Sequence, residues 1–230
     1  MQSLVSGQVR ISDMEKNLVK AAKSGQVNRT GNVHYRVNQT EDGQMSLMLA
    51  VDFERAPTPD HTYVADFVEV SKAESDVLIV LGKIDLPSGK RLRNKIEIYF
   101  PFHPFVYQLW KSSRKFHEMI RNSVPVKSPS LTQRDIASDT ERVQTMTANN
   151  ALMVRVGGQS MVDFFLISAK DMWVRTKKGD PLNMEALVRV YTNDRLLLRL
   201  LDACDTIAKG LIEELNLTIT EGDDENLEYV

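Results

Sequence analysis

A single cysteine, Cys204, stands in 230 residues, so no disulfide can form within the chain. That fits a reducing compartment and a cytoplasmic location. Long apolar runs are missing too. No window approaches the ~18 consecutive apolar residues of a membrane span. The opening stretch MQSLVSGQVRISDMEKNLVKAAK lacks the apolar centre of a secretory signal. The Asn-x-Thr triplets at Asn28, Asn38 and Asn216 matter only after secretion and read as chance matches. Charge of one sign is not in excess: 29 basic residues face 31 acidic ones, a net charge of −2. There is no global pull toward nucleic acid or a membrane, so local patches must carry any such reading.

Catalytic and metal-binding signatures are also lacking. A P-loop cradles phosphate with backbone N–H groups between two glycines, followed by Lys and Ser/Thr. The spacing from Gly82 to Gly89-Lys90 is too long, and Arg91 stands where the hydroxyl belongs. Gly157-Gly158 follows a strand pattern, but no third glycine opens a helix, so a hairpin turn is the reading. His34, His61, His103 and His117 form neither an HExxH nor a Cys/His pair spacing. Cys204 shares a helix with Leu197, Leu200, Leu201 and Ala208 and reads as a small core hydrophobe. No carboxylate pair stands out from the charged surface. The expectation is no catalytic residue, no metal, no cofactor and no enzyme activity.

What is present is an α+β pattern. Residues 1–30 hold a leader and a short helix, with a Ser12/Glu15 capping box and Gly25 after its end. Residues 31–122 read as a strand-rich module ending in a helix. Val33, Tyr35 and Val37 alternate, Asp42-Gly43 turns, and Ser46–Phe53 returns. Pro57-Thr-Pro-Asp60 breaks the chain. Strands follow at Tyr63–Val70, Val77–Leu81 and Ile96–Phe100, with a turn at Pro87-Ser-Gly89. A helix opened by Pro104 then carries Phe105, Leu109, Phe116 and Ile120. Residues 123–150 read as a linker. Residues 151–216 form a second module, with strands at Leu152–Val156, Val162–Ser168, Met172–Thr176 and Ala186–Tyr191. Thr192 is the expected cap of its helix. Residues 217–230 are an acidic tail.

A shift of 92 residues places Ile96, Ile98 and Tyr99 on Val188, Val190 and Tyr191. It also places Phe105, Leu109, Ser112, Phe116 and Ile120 on Leu197, Leu201, Cys204, Ala208 and Ile212. Upstream, Phe67-Val-Glu-Val-Ser71 matches Met153-Val-Arg-Val-Gly157, with an insertion before the last strand of the second copy. Duplication is one reading; the other is that any strand followed by an amphipathic helix aligns this way. The fold expected is two similar antiparallel-sheet-plus-helix modules with an extra N-terminal helix and hairpin. The unit of three strands running into a helix, from Val68-Glu-Val-Ser71 to Met119 and from Val154 to Lys209, resembles small bacterial domains of the SecB-type export chaperone fold. The resemblance implies an oligomer that binds extended polypeptide in apolar grooves.

Three features suggest binding. Lys90, Arg91, Arg93 and Lys95 follow one turn, and Arg175, Lys177 and Lys178 precede Gly179-Asp180 at the matching place. Two basic hairpins could grip a phosphate backbone, or simply solubilise hairpin tips. Six aromatics crowd between Tyr99 and Trp110, and Phe102, Tyr107 and Trp110 are the candidate protein-interface residues. The tail from Glu221 to Val230 carries five carboxylate side chains. It reads either as a solubilising tail or, by composition, as resembling those of single-stranded-DNA-binding proteins. The first expectation is a non-catalytic binding or assembly protein of bacterial or phage type, acting as a homo-oligomer through protein contacts and away from membranes. The alternative is a nucleic-acid-binding protein.

Overall fold

A computed structural model describes residues 4–5, 8–11, 31–39, 45–74, 76–84, 92–106, 109, 113–124, 143–156 and 159–215. They form a mixed α and β molecule with three four-stranded sheets. The N-terminal sheet holds β1 (Leu4–Val5), β2 (Gln8–Ile11), β3 (Val33–Gln39) and β4 (Met45–Val51), in the order β1-β2-β4-β3. The other two are built to one plan. Strand β5 (Thr62–Val64) leads into a meander of β6 (Phe67–Ala73), β7 (Asp76–Ile84) and β8 (Leu92–Pro101). Strand β9 (Val143–Thr147) leads into β10 (Asn150–Val156), β11 (Gln159–Leu166) and β12 (Glu185–Asn193). Each leading strand leaves its own meander and pairs in parallel with the last strand of the other. The sheet orders are therefore β6-β7-β8-β9 and β10-β11-β12-β5.

The exchange matches residue by residue. Ala65 N–H donates to Tyr191 O at 2.9 Å, and Ala148 N–H to Tyr99 O at 3.0 Å. Asp66 Oδ1 accepts from Ile84 N–H at 2.6 Å, and Asn149 Oδ1 from Ile167 N–H at 2.8 Å. A short polar side chain closes each corner by bonding the backbone. Tyr63 Oη donates to Gln144 Oε1, joining the two exchanged strands. Each meander bulges once, after Leu81 and after Phe164. The strand-to-helix junctions, Pro101–Phe102 and Asn193–Asp194, lie 92 positions apart. Upstream of the bulges the spacing is 83, from Ala65 to Ala148. Phe67 thus corresponds to Asn150, not to Met153 as the Val-x-Val pattern suggested. That pattern was out by an odd number of residues, which exchanges the faces of a strand. Inward Val68 and Val70 answer inward Ala151 and Met153.

One interior serves both meanders. Val77, Ile79, Leu81, Ile96, Ile98 and Phe100 meet Val162, Phe164, Val188 and Val190. Helix α1 (Arg114–Ser123) contributes Ile120, helix α2 (Ala169–Lys178) lies between β11 and β12, and helix α3 (Asp194–Glu214) follows β12. Along α3, Leu197, Leu200, Leu201, Cys204, Ala208 and Leu211 recur at helical spacing. This face packs on β6 of the other unit as well as on β11 and β12. Asn193, not Thr192, caps the helix, accepting from Leu196 N–H at 2.9 Å. The two units are therefore not independent modules on a linker. The expected linker at 123–150 contains β9, whose polar, exposed Gln144, Thr145 and Thr147 gave no strand pattern.

A smaller core joins the N-terminal sheet to the second unit: Val33 and Tyr35 pack with Phe165, Ile167, Met172, Leu182 and Met184. The β3–β4 pair, which sequence order placed with the first module, thus rests on the second half. Val33 N–H donates to Leu182 O at 3.0 Å, Met184 N–H to Asn32 Oδ1 at 2.9 Å and Tyr35 Oη to Asp180 O at 3.0 Å. Gly31 is required here, because a Cβ would sit 2.1 Å from Leu182 O. The expected helix at Ser12–Gly25 and the acidic tail lie outside the described residues.

Candidate functional site: a basic and aromatic helix face

The two units differ most where the spacing changes from 83 to 92. The first passes from β7 to β8 through residues 85–91; the second inserts α2 between β11 and β12. Ser168 Oγ accepts from Asp171 N–H at 3.3 Å, an N-cap worth ~1 kcal/mol. Gly179 ends the helix at φ 75°, and Asp180 N–H donates to Arg175 O at 2.9 Å. The expected strand at Met172–Thr176 is thus a helix. Met172, Val174 and Thr176 alternate as a strand would, but the caps at Ser168 and Gly179 decide the local structure. Arg175, Lys177 and Lys178 consequently stand in the last turn of a helix rather than on a hairpin, where positive charge suits the helix dipole.

Met172 and Thr176 are buried on one side of α2. Lys170, Trp173, Val174, Lys177 and Lys178 follow an i, i+3, i+4, i+7, i+8 spacing and share the opposite face. Trp173 is 45% exposed and Val174 36%. Lys177 Nζ lies 5.7 Å from the Trp173 ring centroid, a cation–π contact. Arg175 turns aside: its Nε is 3.6 Å from Asp171 Oδ1, and one terminal nitrogen donates to Pro181 O at 3.3 Å. Docking of β3 on the smaller core holds the helix in place. The face carries Lys170, Lys177 and Lys178 on the side of the helix that exposes Trp173 and Val174, a combination that suits a partner that is anionic and apolar together. Lys170, Trp173 and Val174 were not singled out from the sequence, because the strand reading put Trp173 and Val174 on opposite faces and left Lys170 outside the strand.

The other candidates fall elsewhere. Phe102 is 6% exposed, packed in the main core with Phe105 and Leu109, so it is not a surface anchor. The helical turn Phe102–Pro104 carries it inward from the end of β8. Tyr107, Trp110, Lys90 and Arg91 lie outside the described residues. Arg93 sits in β8 opposite Lys83. Lys95 Nζ pairs with Glu97 Oε1 at 2.6 Å along the same strand. The expected pair of equivalent basic hairpins is therefore not what the described residues form.

Titratable clusters elsewhere are closed upon themselves. Arg189 donates twice to buried Asp163, at 2.7 Å each, and those bonds hold its guanidinium further above its ordinary value. At the start of α3, Arg155 Nε donates to Asp194 Oδ2 at 2.8 Å and Ser160 Oγ to Asp194 Oδ1 at 2.7 Å. Burial would raise the Asp194 carboxyl, but Ser160 and Arg155 outweigh it and leave the group below its ordinary value. Burial pushes the Cys204 thiol up, which disfavours the thiolate a nucleophile needs. His117 Nε2 lies 2.8 Å from Asp202 Oδ1, between α1 and α3. Among the described residues no group of three or more His, Cys, Asp or Glu is placed to hold a metal ion, and no helix is long and apolar enough to cross a membrane. A scan against protein-family models, a search of curated proteins and a search of solved structures each found no match.

Proposed function

We propose that the chain is a non-catalytic binding protein working through protein–protein contacts, and that the α2 face docks acidic, apolar stretches of polypeptide in a chaperone-like way. The observation that carries this is the exposed Trp173 and Val174 on the same face as Lys170, Lys177 and Lys178, on a helix fixed by its caps. Tryptophan on a rigid element is among the commonest anchors of interface energy. The lysines set the sign of the partner's charge. A phosphate backbone fits less well. Val174 gives it nothing, and three lysine contacts would yield a salt slope of only about 2 for single strands. Nucleic acid is the second reading, favoured by Lys177 over the Trp173 ring, since a cation beside an aromatic also suits base stacking.

Polarisation titrations separate the two readings. One probe is a labelled twelve-residue peptide of alternating Glu and Leu, the other a labelled oligo-dT. The expected result is peptide binding that weakens at least ~10-fold in the Lys170→Glu/Lys177→Glu double variant. Tighter binding of oligo-dT, or peptide binding unchanged in the variant, would count against the proposal. Sedimentation of the same sample reports whether the protein acts as a homo-oligomer.

A further inference from the structure

We infer that the open edge of β5 is a second docking site, apart from α2, and that it takes an extended segment of another protein, apolar at alternate positions and basic at its ends, as an added strand. Strand β5 ends its sheet. Arg189 N–H donates to His61 O and Ala65 N–H to Tyr191 O, both at 2.9 Å, so His61, Tyr63 and Ala65 turn their backbone groups toward β12. Backbone groups alternate along a strand, so the N–H and C=O of Thr62 and Val64 point the other way. Among the described residues no strand pairs with that side. Thr62 and Val64 are both exposed, Val64 by 59%. Such an edge is a template for another strand: its backbone bonds give affinity, and alternate side chains give specificity.

The side chains set the partner's chemistry. Val154, Met161, Tyr191 and Val64 stand in register across the whole sheet and form an apolar row that ends at the open edge. An apolar side chain on an added strand continues that row. Exposed Asp60 and Asp66 flank β5. Arg189, beside Thr62, already donates twice to Asp163, so it does not offset them. Basic ends on the segment answer the two carboxylates. The matching edge strand β9 lacks these features: Val143, Thr147 and Asn149 stand where β5 has Asp60, Val64 and Asp66. A second copy of the chain fits poorly, because two β5 edges paired antiparallel about Tyr63 would set the copies' Asp60 and Asp66 side by side, and like charges there are destabilising.

The test titrates the full chain against a labelled peptide, Lys-Thr-Val-Thr-Val-Thr-Val-Lys, by polarisation. A strand offers its amides alternately to its two sides. N-methylation of the Val amides or of the Thr amides is therefore expected to weaken binding at least ~10-fold for one set and to spare the other. Val64→Pro removes an N–H that β12 does not use, a place where an edge strand tolerates proline. It is expected to weaken the parent peptide at least ~10-fold with an unchanged circular dichroism spectrum. If that variant fails to fold, the two methylated peptides still decide the matter on the wild-type chain. No binding of the parent peptide, equal effects of the two methylations, or full affinity in a folded Val64→Pro variant would overturn the inference and leave the α2 reading untouched. Displacement of the probe by the unlabelled Glu–Leu peptide would place it on α2 instead and also overturn the inference. Tighter binding of the same peptide with Glu at both ends would do so too.

Discussion

The two meander units share strand order, bulge position and corner hydrogen bonds, yet they differ in three places. At the strand-to-helix junction the first unit has Lys72, Val77 and Phe102 where the second has Arg155, Ser160 and Asp194. On the outer sheet face Val80 and Glu97 stand where the second unit pairs Asp163 with Arg189. Between the third and fourth strands of the plan, the second unit inserts α2. Most positions facing the common interior stay apolar in both; where Val77 and Phe102 give way to Ser160 and Asp194, the polar groups bond each other and Arg155, because a buried polar group must find a partner or destabilise the fold. Positions facing outward are free to diverge, and it is there that the second unit acquires a helix with an exposed tryptophan.

Core truncation should have the largest effect. Leu81 and Phe164 occupy matching places before the two bulges and line one interior. Phe164→Ala is expected to cost ~3–5 kcal/mol and Leu81→Ala ~2–5 kcal/mol in urea unfolding. Both should give a single transition. Two separate transitions in either variant would break the picture of a shared core.

The junction comes next. Asp194→Ala leaves Arg155 and Ser160 without their acceptor and is expected to cost about 2–3 kcal/mol. Replacing Arg155, Ser160 and Asp194 together by the first unit's Lys, Val and Phe should recover most of that loss. The pH dependence follows from the sign of the shift. Asp194 titrates lower folded than unfolded, so its contribution is present above the ordinary carboxylate range and lost as pH falls below it. The gap between wild type and Asp194→Ala should therefore close in acid, as measured by urea midpoints across pH.

Gly31→Ala sharpens the contrast from the other side. The added methyl meets Leu182 O, so the β3–β4 pair must shift, at a cost of ~1–3 kcal/mol. Because the described core of this sheet is shared with the second unit, the change should perturb the amides of α2 by NMR and leave those of β6–β8 unmoved.

Strands β3, β7, β8 and β12 and helix α3 were legible in the sequence, because one face of each is buried and period 2 or 3.6 survives. The exchange of β5 and β9 was not. Tyr63–Val70 read as one strand, yet Ala65-Asp66 turns the chain from one sheet into the other. Parallel pairing between distant segments leaves no local trace, and β9 is polar on its open side. At the candidate site, Arg175, Lys177 and Lys178 drew notice as charges, but their face depended on recognising a helix. The aromatic concentration near Phe102 was real, and three of its described members point inward: Phe100, Phe102 and Phe105 serve the core.

The most direct test of α2 as a binding face is the affinity of the labelled Glu–Leu peptide for Trp173→Ala, with far-ultraviolet circular dichroism as the folding control. The expected result is an unchanged spectrum with binding at least ~10-fold weaker, or about 1.4 kcal/mol, as loss of an interface anchor requires. Unchanged affinity with an unchanged spectrum would contradict the assignment.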